Sequence, residues 1–103
     1  MKLITAEKDG DLVVCITGDV DHHSAAGLRE EIDRLLEEKK PKSLLLDLGG
    51  TDFMDSSGLG LILGRKRKTE EMGIGLTLIN PTDGCRKILR LAGMENQINM
   101  KFM

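Results

Sequence analysis

Three short apolar runs, separated by stretches of helical period, limit this chain to very few architectures. They are residues 12–16 (LVVCI), 43–48 (SLLLDL) and 75–79 (GLTLI). Between the first two, Leu28, Ile32, Leu35 and Leu36 recur at three- and four-residue spacing, with Arg29, Glu30, Asp33, Arg34 and Glu37 on the other side. That pattern predicts an amphipathic helix over 25–39, capped by Ser24, with Lys39 and Lys40 complementing its negative end and Pro41 stopping it. Strands joined through helices pair in parallel with right-handed crossovers. Ahead of them, residues 3–8 and 11–18 flank Asp9-Gly10, the dipeptide that supplies the positive φ of a tight hairpin, so the chain opens with an antiparallel edge strand. The run 12–16 is apolar on both faces and reads as a central strand covered on two sides.

After residue 56 a second helix is expected to bury Leu59, Ile62 and Leu63 and to run to about Met72, stopping at Gly73. Its basic run, Arg65, Lys66, Arg67 and Lys68, reads as a solvated surface. A third helix over 82–92 should bury Cys85, Ile88, Leu89 and Ala92, with Gly93 as its stop. Weak alternation over 98–102 suggests a last edge strand. The fold class is therefore α/β: a mixed, mostly parallel sheet of four to five strands, an antiparallel N-terminal edge strand and about three helices.

With 103 residues, 40% hydrophobic and 31% charged, residues 1–103 are expected to form one domain around a modest core. A net charge of -2 and only two aromatics, Phe53 and Phe102, argue against nucleic acid, which needs a basic field or stacking platforms. No apolar run reaches the roughly 18 residues that cross a bilayer, and the N-terminus is strand-like, so the expected address is the cytoplasm, with no membrane partner. Cys15 and Cys85 stand singly in apolar surroundings and read as buried free thiols; no metal or cofactor is implied.

The join between the second parallel strand and the second helix, residues 52–64 (DFMDSSGLGLILG), carries the chemistry. Asp and Ser are common N-caps, but one hydroxyl suffices for a cap, which leaves the other spare. A helix start also welcomes negative charge, which makes Ser56 or Ser57 a natural phosphoacceptor. The residues alone do not choose between them. Gly58, Leu59 and Gly60 leave the first turn nearly bare, so a partner can approach the backbone. If the strands are parallel, their carboxyl ends share one edge, which brings Asp19, Val20 and Asp21 beside residues 52–57. Asp19, Asp21 and Asp55 would then surround the acceptor, and a phosphate adding about -1.5 to -2 charges would change what this surface can dock.

Two other classes compete. A serine hydrolase would use Ser56 or Ser57 with His22 or His23 as base, but a nucleophile elbow needs glycine two residues before the serine, where this chain has Met54 or Asp55. A nucleotide fingerprint fails because Leu63 stands where the third glycine belongs. A passive interaction scaffold is the remaining alternative.

The segments Gly18-Asp19-Val20-Asp21-His22-His23, Phe53-Met54-Asp55-Ser56-Ser57-Gly58-Leu59-Gly60 and Ile62-Leu63-Gly64-Arg65 closely resemble the anti-sigma factor antagonists of the STAS domain family. The resemblance implies a non-enzymatic partner switch, with no cofactor of its own. An anti-sigma factor that is also a serine kinase would use ATP to phosphorylate the first serine of the block, here Ser56. Bare, the protein would bind that kinase and free a sigma factor; phosphorylated, it would let go until a serine phosphatase restores it. Asp21 matches the family's acidic residue beside the acceptor and would orient it, while Ser57 and Gly58 would shape the same surface. The family usually continues into a further C-terminal helix, whereas this sequence ends at Met103.

Overall fold

Hydrogen-bonding needs and one apolar face per element produce a two-layer molecule in the computed structural model, which describes residues 2–103. The elements are β1 (Lys2–Lys8), β2 (Asp11–Thr17), α1 (His22–Lys39), β3 (Ser43–Gly50), α2 (Ser56–Met72), β4 (Gly75–Ile79), α3 (Asp83–Leu91) and β5 (Asn99–Lys101). The sheet order is β1-β2-β3-β4-β5, antiparallel between β1 and β2 and parallel thereafter. Asp9 and Gly10, at φ 54 and 89, make the hairpin that pairs Lys8 with Asp11.

Alternation along the strands decides which face the helices cover. Leu12, Val14 and Ile16 of β2, Leu44, Leu46 and Leu48 of β3, and Leu78 of β4 join Leu28, Ile32, Leu35 and Leu36 of α1, Leu61 and Ile62 of α2, and Cys85 and Leu89 of α3 in one core. Among the described residues no helix covers the opposite face. Val13, Cys15 and Leu45 are only half-buried there, so β2 is covered on one side and Cys15 is not a fully buried thiol. Its pKa is nevertheless raised, first by burial and then by the neighbouring Asp47 carboxylate.

Four further expectations are corrected by geometry. Helix α1 begins three residues early, because Asp21 and not Ser24 is its cap; Ser24 serves as the reciprocal partner of a capping box, its Oγ accepting from the Asp21 N–H at 3.0 Å. In α2 the buried positions are Gly58, Leu61, Ile62, Arg65 and Thr69, a true three-to-four spacing. Leu63 lies one residue round from that stripe and is 42% exposed, while Arg65 is buried at 6%. Ala92, the C-cap of α3, is exposed, and its place in the core is taken by Met94. The last strand is shorter than 98–102, since Ile98 turns into the core.

Candidate functional site

A parallel βα unit puts every helix start at the carboxyl edge of the sheet, so the N-termini of α1, α2 and α3 gather on one rim. The loops there are stitched together by backbone. Gly18 N–H donates to Gly50 O at 2.9 Å, Val20 N–H to Phe53 O at 3.1 Å and Asp55 N–H to Val20 O at 3.1 Å, and Val20 and Met54 form an isolated parallel bridge. The segment carrying Asp19 and Asp21 is thereby held against the segment carrying Asp55, Ser56 and Ser57. Thr51 anchors the far side: its carbonyl accepts from Thr82 Oγ1 at 2.7 Å and from Cys85 Sγ at 3.0 Å.

Asp55 does the capping of α2. Its Oδ1 accepts from Ser57 N–H at 2.8 Å and Gly58 N–H at 3.2 Å, and its Oδ2 reaches across to accept from His22 N–H of α1 at 3.2 Å. One carboxylate therefore ties two helix starts together. Neither serine caps. Ser56, the first helical residue, is exposed, and its hydroxyl makes no protein hydrogen bond among the described residues; Ser57 is half-buried. The expectation of one capping and one spare hydroxyl is thus replaced by two uncommitted serines, of which Ser56 is the more open.

Asp21 has a different task from Ser56. Its Oδ1 accepts from His23 N–H and Ser24 N–H, both at 3.0 Å, and from Ser24 Oγ at 3.2 Å. The Ser24 and His23 donors hold its carboxyl below the usual carboxylate range, so the capping contribution is present above the unfolded value of about 3.9 and fades as pH falls through the lower folded value. The melting-temperature deficit of Asp21→Ala is accordingly expected to be larger at pH 7 than at about pH 3. A deficit equal at both values would show that the ionised cap does not stabilise α1. Asp19 is exposed on the same rim, and Gly60 is exposed one turn into α2, with Leu59 half-buried between.

Two rim features escaped the sequence reading. Phe53 is 49% exposed three residues before Ser56, an apolar side chain facing water at the start of the second rim loop. Its rarity in a chain with two aromatics was the available signal. His22 and His23 open α1, ahead of the start expected at residue 25, with ring centroids 6.0 Å apart and edge-on. Among the described residues no cluster of three metal-ligating side chains occurs, and no helix is long and apolar enough to cross a membrane.

Comparison with known proteins gives a consistent picture. The STAS domain model matches residues 2–102. The anti-sigma F factor antagonist of Lysinibacillus sphaericus is 32% identical over 94 residues, covering 91% of this chain and 78% of that protein. The anti-sigma-B factor antagonist of Bacillus subtilis is 29% identical over 94 residues, covering 91% and 84%. Among solved structures, the anti-sigma factor antagonist SpoIIAA in its unphosphorylated form matches with a TM-score of 0.82 at 26% identity, over 96% of this chain and 87% of that one. The phosphorylated form of the Bacillus SpoIIAA matches with a TM-score of 0.74, again at 26% identity, over 96% and 90%.

Proposed function

This chain belongs to the STAS domain family, and from that premise we propose that it is a phosphorylation-controlled partner switch acting on a sigma factor through an anti-sigma factor. Unmodified, it binds an anti-sigma factor that is also a serine kinase and so releases the sigma factor. Phosphate on Ser56 ends the association, and a serine phosphatase resets it. The protein is a regulator in this scheme, working in the cytoplasm and performing no chemistry of its own.

The observation that carries this reading is the Ser56 hydroxyl: exposed at the first position of α2 and freed from capping by Asp55. A kinase can reach it. The new charge falls at the positive end of a helix, so the domain can carry it without unfolding. Asp55, Asp19, Ser57, Gly58, Leu59 and Gly60 form the surrounding surface on which the partner sits. Asp21 acts there through the position of α1, since its Oδ1 is turned to the α1 N–H groups.

The test is incubation of the chain with the cognate anti-sigma kinase and ATP, followed by peptide mass spectrometry. One phosphate on Ser56, absent from Ser56→Ala, is expected. Phosphate on Ser57 instead, or none, overturns the assignment, and the second outcome supports an unmodified scaffold.

A further inference from the structure

Residues 51–55, between β3 and α2, carry Ser56 to the rim, and the first turn of α3 grips their start. Thr51 is fully buried and every polar group it has is committed: its N–H donates to Leu48 O at 3.0 Å, its Oγ1 donates to Ile16 O at 2.9 Å, and its carbonyl accepts from Thr82 Oγ1 and Cys85 Sγ. The Thr82 hydroxyl serves twice, since it also accepts from Cys85 N–H at 3.3 Å as the cap of α3. Cap and grip are one group. Burial pushes the Cys85 thiol up, the Thr82 hydroxyl offsetting part of that and the charges of Asp52 and Asp19 adding to it, so the sulfur keeps its proton and stays a donor.

One residue further along the loop the contact is steric. A β-carbon on Gly84 would lie 2.3 Å from Asp52 O, and one on Gly58 would lie 2.7 Å from Met54 Cβ. The loop is thus wedged between two glycines, Gly84 of α3 at its start and Gly58 of α2 at its end. Cys85 and Leu89 fix α3 in the core, so a side chain at Gly84 would be relieved by moving Asp52 O about 1 Å, to an ordinary contact. Phosphoryl transfer is sensitive to a shift of that size. It forms the Ser56 Oγ–P bond, breaks the bond between the γ-phosphorus of ATP and the departing ADP, and gives up the hydroxyl proton, with attacking and leaving oxygens in line. A misplacement of about 1 Å can cost about a hundredfold in such a step, whereas a docking surface absorbs it by changes of rotamer.

We propose that Thr82, Gly84 and Cys85 are positioning residues for phosphorylation of Ser56, holding the acceptor loop in place for in-line transfer through Thr51 and Asp52. None of the three belongs to the surface assigned to the partner. The inference rests on the assignment of Ser56 as acceptor. Ser56 is then held from two sides, by the Val20 bridge next to α1 and by the first turn of α3.

Steady-state phosphorylation by the cognate anti-sigma kinase and ATP, with the concentration of this chain varied, tests it on wild type, Gly84→Ala, Thr82→Val, Thr82→Ser and Cys85→Ala, each below its melting temperature. Gly84→Ala and Thr82→Val are expected to lower kcat about tenfold or more, with KM for the chain within about threefold of wild type. Cys85→Ala should lower kcat less, because Thr82 still holds the carbonyl. Thr82→Ser keeps the hydroxyl and should restore wild-type kcat. A merely destabilised fold behaves otherwise: it thins the pool of competent substrate, which raises KM and leaves kcat alone. That pattern, or wild-type kcat in folded Thr82→Val, would overturn the positioning role and leave Ser56 as acceptor, and the Thr82 pair decides even if Gly84→Ala does not fold. If wild type itself takes no phosphate on Ser56, the acceptor assignment falls and the positioning role falls with it.

Discussion

Ser56→Asp is expected to bind the anti-sigma factor about a hundredfold more weakly than Ser56→Ala, with both variants folded. The size follows from where the charge sits. At the first position of α2 it sits at the positive end of the helix dipole, so the isolated domain tolerates it. In the complex proposed above the same atom would lie under a partner that excludes water, where an unmatched or like charge costs several kcal/mol, and each 1.4 kcal/mol is tenfold in affinity. The exposed rim already carries Asp19 and Asp52, so a partner adapted to it is unsuited to more negative charge. Aspartate adds one charge and phosphate about -1.5 to -2, which makes the hundredfold figure a lower bound for the modified protein. Isothermal titration at two salt concentrations measures it, with circular dichroism as the control for folding. Equal affinities for the two variants would remove charge from the mechanism.

Strand-helix alternation made the fold readable, because parallel crossovers leave little choice of topology once three apolar runs and the Asp9-Gly10 hairpin are found. The shared rim was readable for the same reason: parallel strands deliver residues 19–21 and 52–57 to one edge. What the sequence hid was which atom does which job. Asp21, Ser24, Asp55, Ser56 and Ser57 are all good caps by residue type, and only backbone placement shows that the two aspartates cap, which frees Ser56 and Ser57 and leaves Ser24 as the partner in the α1 capping box. Helix phase was the second blind spot. An error of one residue in α2 exchanged Leu61 for Leu63 and sent Arg65 to the surface on paper, since a run of four basic residues carries no internal sign of which one turns inward. The uncovered side of β2 was likewise invisible, because Val13 and Cys15 are as apolar as a two-sided strand requires while facing no helix.

Gly58→Ala and Gly60→Ala, two positions apart on one helix, should move stability in opposite directions. Alanine gains over glycine in a helix interior by up to about 1 kcal/mol, and at Gly60 nothing opposes that gain, so this variant should melt higher. At Gly58 the new methyl would lie 2.7 Å from Met54 Cβ, 3.2 Å from Val20 O and 3.3 Å from Val20 Cγ1. Met54 and Val20 are 1% and 2% exposed and form the bridge that holds the two loops together, so neither has room to retreat. Overpacking of this kind costs about 1–3 kcal/mol, and here the upper end applies, because displacing Val20 also loosens the Asp55 N–H bond to its carbonyl and with it the cap of α2. With about 4–8 °C per kcal/mol for a domain of this size, thermal melts should separate the two variants by about 10 °C or more. Gly58→Ala should also be phosphorylated more slowly, since the loop that presents Ser56 is the one it disturbs. A Gly58→Ala variant that melts with Gly60→Ala would mean that the close approach of α2 to the Val20–Met54 bridge does not hold the rim in place.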